Sequence, residues 1–267
     1  MLRDITIGQY YQTDSVIHRL DPRVKLVATF CYIISLFIMD SFVGYGIAAL
    51  FLVLIIKLSK VPFKYMVRGM KAIVFLLIIA VVFNLFLTQG EVVFAVWKIS
   101  ITREGIRLAA FMAARLVFLI MGSSVMTLTT TPNNLTDGLE KILSPLKIFR
   151  VPVHEIAMMM SIALRFIPIL LEETDKIMKA QIARGADFES GNILKKAKSL
   201  VPLLVPLFIS AFRRANDLAT AMEARCYQGG EHRTKMKPLI YQKRDRLAYG
   251  TLCIYLGLCV GIGRILF

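Results

Sequence analysis

Long apolar stretches separated by short polar ones set the pattern of this chain. A helix needs about 20 apolar residues, at 1.5 Å rise each, to cross a bilayer. Four such stretches come early, at Val24–Met39, Phe42–Ile56, Ile73–Leu87 and Ile106–Leu128, and a fifth, Leu247–Phe267, closes the chain. Only Asp40 and Ser41 part the first two, which predicts a tight helical hairpin. A single oblique helix over 24–56 is the alternative, and Gly44 and Gly46 just after the polar pair favour the turn. The first stretch is short, so it must tilt or thin the bilayer locally.

Residues 131–246 have a different pattern. Thr129-Thr130-Thr131-Pro132-Asn133-Asn134 signals a turn and a helix start, and Leu135 to Leu143 reads as a short helix closed by Pro145. A long helix follows from about Val153 to Arg184, apolar in its first half and charged in its second. Its pairs Glu172/Lys176 and Asp175/Lys179 have the favourable i,i+4 order. Pro168 is expected to bend it and Gly185 to stop it. A second helical region, from about Ile193 to Tyr227, begins with Lys195, Lys196 and Lys198 and continues through an apolar middle, Leu200 to Ile209. It ends polar, at Arg213, Arg214, Asn216, Asp217, Glu223 and Arg225, before Gly229 and Gly230. Pro202 and Pro206 are expected to break it into two pieces. Each long helix thus has an apolar portion suited to the membrane boundary and a charged portion that ends in Ala-Arg.

Composition narrows the class. Hydrophobic residues make up 57% of the 267 positions and charged ones 19%, more apolar than the roughly 45–50% of a soluble domain. Disorder, collagen and a disulfide scaffold are excluded, which leaves an all-α integral membrane protein of about five transmembrane helices, with a long helical segment between the fourth and fifth. The formal net charge is +15, from 33 Lys and Arg against 18 Asp and Glu. Bases crowd the leader (Arg3, Arg19, Arg23, Lys25), the second connection (Lys57, Lys60, Lys64, Arg68, Lys71) and the 131–246 segment. The first turn has none, and the third connection only Lys98 and Arg103. The positive-inside rule then puts the N-terminus and the long segment in the cytoplasm and the C-terminus outside. This gives three regions: 1–130, a four-span bundle; 131–246, cytoplasmic helices; and 247–267, the last span. Arg107 can snorkel outward, whereas Arg115 is deeper and is expected to face the bundle through a structural hydrogen bond.

Candidate chemistry is sparse. The chain has no GxxxxGK[ST] loop, no HExxH and no GxSxG, and its three histidines, His18, His154 and His232, are far apart. Glu172 and Glu173 point about 100° apart on a helix and read as a solvated face rather than an acid–base pair. Cys31, Cys253 and Cys259 lie in apolar runs and Cys226 in a polar one, with no metal-ligand spacing, so they read as reduced thiols. No cofactor or metal is expected, and no cleavable signal precedes the first apolar run. No acid sits in the core of a span, which disfavours an ion-coupled carrier. Met158, Met159 and Met160 suit an adaptable packing surface or plain bundle filling. The pattern is that of a non-catalytic membrane protein powered from outside itself.

Several motifs, in order along nearly the whole chain, carry a resemblance. Gly8-Gln9-Tyr10, Asp14-Ser15 and His18-Arg19-Leu20-Asp21-Pro22-Arg23-Val24-Lys25 open it. Leu128-Thr129-Thr130-Thr131-Pro132 with Leu139-Glu140, then Ile162-Ala163-Leu164-Arg165-Phe166-Ile167-Pro168 with Glu172-Glu173, continue it. The most specific are Ala180-Gln181-Ile182-Ala183-Arg184-Gly185-Ala186-Asp187-Phe188 and Met222-Glu223-Ala224-Arg225-Cys226-Tyr227. Together they resemble the transmembrane T component of energy-coupling factor transporters. The resemblance implies a prokaryotic plasma-membrane scaffold in an importer of vitamins or metals, docked on two cytoplasmic ABC ATPases that hydrolyse ATP and holding one or more small membrane S components that bind substrate. It also implies that the arginines of two Ala-Arg-Gly motifs, which end the coupling helices, enter grooves of the ATPases. Here those motifs are Ala183-Arg184-Gly185 and Ala224-Arg225-Cys226. Cys226 stands where the family has glycine, so that helix end is expected to differ locally, because cysteine disfavours a left-handed cap. An arginine at a helix C-terminus also serves simply as a favourable helix end.

One rival reading comes from the residues themselves. Lys195, Lys196, Lys198 and the group from Arg233 to Arg246 suit a membrane-anchored basic helical module lying on the anionic lipid of the bilayer. No aromatic interleaving supports nucleic-acid binding, and no inverted repeat supports a carrier with its own substrate path.

Overall fold

The computed structural model describes residues 10–39, 41–71, 73–88, 90–96, 99–186, 188, 193–230, 236 and 238–265. Gly8, Gln9, Asp40, Lys98, Asp187, His232 and Arg233, which carry roles in the sequence reading, lie outside the described residues. So do the side chains of Arg68, Lys71, Lys195 and Lys196. The elements are α1 (Pro22–Ile38), α2 (Phe42–Ser59), α3 (Phe63–Lys71), α4 (Val74–Leu87), β1 (Val92–Val96), β2 (Ile99–Thr102), α5 (Arg103–Thr129), α6 (Pro132–Leu143), a 3-10 helix (Ser144–Phe149), α7 (Val153–Ala183), α8 (Ile193–Ala224) and α9 (Lys243–Ile265). The chain divides into two compact units, one of residues 8–141 with 239–267 and one of residues 142–238 with 1–7.

In the first unit, α5 is the central helix, in contact with α1, α2, α3 and α4, while α9 packs on α1 and α2. The start of α1 follows from capping: Asp21 accepts from the Arg23 N–H at 2.9 Å, with Pro22 at the first helical position. The first two apolar stretches form a hairpin and not one oblique helix. Met39 ends α1 in an extended conformation, and Ser41 restarts the chain by accepting from the Gly44 N–H at 3.2 Å. Tyr32, Leu36, Ala48, Leu52, Leu252 and Tyr255 form the buried core. Helix α5 comes so close to α1 that a Cβ on Gly122 would stand 2.6 Å from a Tyr32 ring carbon. Arg115 faces the bundle as expected, donating from Nε to the Tyr45 hydroxyl at 2.9 Å and from its amino group to the Met39 carbonyl at 3.3 Å. It therefore holds the hairpin corner against α5.

Three features depart from the sequence reading. The chain is not wholly helical, because in the connection after α4 β1 and β2 pair antiparallel from Val92↔Thr102 to Val96↔Ile99. The run of β-branched and aromatic residues there favours a pleated ribbon over helix. The connection after α2 contains a helix of its own, α3. Finally, α8 is one unbroken helix despite Pro202 and Pro206. Pro206 has no N–H for the Pro202 carbonyl four residues earlier, and the Gln181 side chain of α7 donates to that carbonyl instead, at 3.4 Å. A substitute donor on a packed neighbour lets the helix run on.

Three helices are long and apolar enough to cross a bilayer, namely α2, α5 and α7, and α4 is a shorter apolar helix. Most of the apolar window of α7 is left uncovered by the rest of the chain.

The ends of α1 and α9 meet in a buried polar knot. Asp245, 1% exposed, accepts from the backbone N–H of Asp21 at 2.9 Å and of Gln242 at 2.7 Å. The Gln242 bond is the backward arm of a capping box, so one carboxylate serves the first turns of two helices. Arg23 donates to both oxygens of Asp21 and to the Leu239 carbonyl, and lies 3.8 Å over the Tyr241 ring. Burial works against the charge on Asp21, but the Arg23 bonds outweigh it and hold the carboxyl below its ordinary range. Lys25 donates to the carbonyls of His18 at 3.1 Å and Thr129 at 2.8 Å, which ties the leader to the end of α5. His18 donates from Nε2 to the Tyr11 carbonyl at 2.9 Å, so its Nδ1 accepts from Ser15 at 2.7 Å, and burial keeps the imidazole neutral to lower pH than usual.

Candidate functional site

The two Ala-Arg sequences end the two longest helices, α7 and α8, which pack against each other. Glu173 fixes their pairing. It accepts from the Ser210 hydroxyl at 2.6 Å and from Arg214 at 2.9 Å, so it joins the helices and is not part of a solvated face. Leu203 is buried, whereas Val201, Leu204, Val205, Phe208, Ile209 and Phe212 are exposed. The exposed set recurs at i, i+3, i+4, i+7, i+8 and i+11, which is one continuous stripe along α8.

Both helix ends have the same hydrogen-bond pattern. At the end of α7, the Gly185 N–H donates to Ile182 at 2.9 Å and the Ala186 N–H to Gln181 at 3.0 Å. At the end of α8, the Cys226 N–H donates to Glu223 at 2.8 Å and the Tyr227 N–H to Met222 at 3.0 Å. These paired bonds are those of a Schellman cap, with the residue after each arginine in the left-handed region. Gly185 has φ 86° and Cys226 φ 55°. The expected local difference at Cys226 is therefore absent: the cap forms, and cysteine takes a conformation that costs an L-residue about 1–2 kcal/mol. Cys226→Gly is accordingly expected to raise stability by about 1 kcal/mol and to leave partner capture unchanged. Thermal unfolding of the purified protein checks the first part, and no gain in melting temperature would refute it.

The caps set the direction of each arginine. Arg184 and Arg225 are the last residues before the left-handed turn, and Ala183, Arg184, Gly185, Ala224, Arg225 and Cys226 are all exposed. Among the described residues neither guanidinium is paired with a carboxylate. Each is a fixed positive fork at a helix C-terminus, able to take a carboxylate or several backbone carbonyls at once. Sequence spacing marked both arginines but missed the acceptors of the caps, Gln181 and Met222, and the clamp at Glu173. The two six-residue stretches from Gln181 and Met222 share only Ala-Arg, and what unites them is a backbone pattern. Among the described residues no group of acids, histidines and cysteines could hold a metal ion.

Comparison with known proteins agrees with the order of motifs. The family CbiQ, described as cobalt transport protein, matches residues 13–236. The energy-coupling factor transporter transmembrane protein EcfT of Clostridium kluyveri is 57% identical over 264 residues, covering 98% of this chain and 97% of that one. The EcfT proteins of Bacillus subtilis and Lactococcus lactis are 45% and 44% identical, covering 92% and 95% of this chain and 93% and 96% of their own. With its several apolar helices the chain is a multi-pass membrane protein. Matches of this extent leave one conclusion: the chain belongs to the CbiQ family, and the transmembrane proteins of energy-coupling factor transporters are among its relatives.

Proposed function

We propose that this chain is the membrane scaffold of an energy-coupling factor importer for a vitamin or metal micronutrient. Arg184 and Arg225, with Ala183, Gly185, Ala224 and Cys226 around them, each enter a groove on one of two cytoplasmic ABC ATPases. The exposed apolar stripe of α8, with the uncovered face of α7, receives a small membrane S component that binds the substrate. The spans are α1, α2, α4, α5 and α9, with the N-terminus inside, and residues 131–246 are the coupling segment, whose apolar parts lie at the cytoplasmic boundary. The chain itself is non-catalytic, and ATP hydrolysis belongs to the partners.

One observation carries this reading. Two packed helices end in the same cap, and each cap presents one exposed arginine. Two like projections suit two like receptors. When the ATPases close on ATP and part after hydrolysis, helix ends gripped by them move too, and the Glu173 clamp makes α7 and α8 move as a pair. The ligand for that motion is the S component, whose contacts must differ between the two states. Affinity capture of the chain in mild detergent, followed by mass spectrometry, tests the proposal. Two related ABC ATPases and one or more small hydrophobic proteins are expected, and the latter identify the substrates. A chain recovered alone, also after cross-linking in intact membranes, would overturn it.

A further inference from the structure

In the first unit, α1 and α9 begin at the end where α2 and α5 stop, and there the four helices leave a cavity of about 390 Å³. That volume is within the range of small-molecule sites. Its inner walls are apolar and include Ala28, Leu52, Val125 and Leu252. Phe51, also in the wall, stacks on Tyr255 with ring centroids 4.2 Å apart and closes the inner end. The wall positions of α9 run from Lys243 to Leu252, so the cavity follows that helix for about 13 Å. Leu54, Leu58 and Leu247, also in the lining, are exposed. The cavity therefore communicates sideways with whatever surrounds α2 and α9, which in a bilayer is lipid.

Its mouth is basic. Lys25, Lys243 and Arg244 line it, and among the described residues no Asp or Glu does. Lys25 is already engaged by the His18 and Thr129 carbonyls. The nearby carboxylates are engaged too, Asp21 by Arg23 and Asp245 by two backbone N–H groups. Arg244 is different, because its Nε is buried without a hydrogen-bond partner among the described residues. A buried cationic donor with no acceptor is costly, and an anion from outside the chain would satisfy it. An apolar slot open to lipid on its flank, with two cations at one end that no described carboxylate neutralises, complements one molecule with a negative head and a hydrocarbon tail.

We propose that this cavity binds one anionic phospholipid, its phosphate held by Arg244 and Lys243 and one acyl chain lying along α9 among α1, α2 and α5. Binding of this kind differs from the diffuse attraction of a basic surface, since it needs both the charge pair and the shape of the slot. It does not depend on the docking of ATPases.

The test uses the full chain, in whatever complex it is recovered, reconstituted in nanodiscs of equal parts phosphatidylglycerol and phosphatidylcholine and released for native mass spectrometry. One retained phosphatidylglycerol is expected on the wild type. The double variant K243Q/R244Q should retain it roughly thirtyfold less, having lost two basic contacts. Ala248→Phe should also expel it, by filling the slot with the charges intact, and Ala28→Leu serves the same purpose if that variant does not fold. Equal retention of phosphatidylcholine, unchanged retention in the charge variant, or unchanged retention in the filled variant would each overturn the proposal. So would equal thermal stabilisation by inorganic phosphate, which would reduce the site to an ion contact. Cross-linking of residue 248 to a protein partner would give the cavity to that partner and overturn it as well.

Discussion

Replacing Arg184 and Arg225 together with alanine is expected to abolish recovery of the ATPase pair with this chain and to stop uptake, while leaving the chain folded in the membrane. Each arginine is exposed at the end of a capped helix, so its removal opens no cavity and breaks no bond within the described residues. The caps themselves are made by backbone groups and survive the change. The whole effect must therefore come from the interface. An arginine buried in a partner's groove is a common hot spot, worth about 2 kcal/mol or more on truncation, so each single change should weaken docking roughly thirtyfold. The two sites lie on different helices and would meet different subunits, but the complex needs both, so the double change should cost more than either alone. Lysine is an instructive intermediate: it keeps the charge and loses the planar fork, and should restore only part of the affinity. Capture of the ATPases from membranes expressing each variant, alongside uptake of the imported vitamin or metal, reads both effects. Wild-type uptake and complex yield in the double variant would remove the docking role from these residues.

The two kinds of outcome in this protein have different sources. The apolar helices and the two arginines at the helix ends are legible in the sequence because each depends on residue type at a spacing along the chain. Apolar runs gave α1, α2, α4, α5 and α9 to within a few residues, and the pairing of Asp40 with Ser41 located the first hairpin. Arg115 could be placed facing the bundle because a charge in a span has few other options, but its partners, Tyr45 and the Met39 carbonyl, come from other helices and leave no local signal. The same holds for α8. Two prolines four residues apart read as a break, and only the neighbouring Gln181 explains why the helix continues. Glu173 reads from sequence as a solvated residue because its partners, Ser210 and Arg214, lie on another helix. Cys226 shows the reverse limit. Cysteine's preference against the left-handed region is real, but the expected difference at this helix end does not occur, since two backbone bonds outweigh about 1–2 kcal/mol of left-handed strain.

The knot at the start of α1 and α9 leaves no local signal in the sequence, and it carries the largest expected effect on stability. Asp245→Ala should destabilise the protein by about 3–5 kcal/mol, the usual cost of removing one partner from a buried charged network. The reason is specific. The carboxylate is 1% exposed and is the acceptor for two backbone N–H groups, those of Asp21 and Gln242, and the alanine variant would leave the one on buried Asp21 without this partner. It also faces buried Lys25, whose positive charge would lose a nearby counter-charge. Asparagine keeps the shape but offers one oxygen and one donor, so one N–H would meet another donor, and about half the loss should remain. The exposed pair of Arg19 and Asp14 in the same leader is the control. Their side chains are 60% and 68% exposed, and removing either should change stability very little. Thermal unfolding in lipid nanodiscs distinguishes the cases, since about 3 kcal/mol corresponds to roughly 6–12 °C for a chain of this size. If Asp245→Ala melts with the wild type, the knot does not hold these two helix ends together, and the meeting of α1 and α9 must rest on their apolar faces alone.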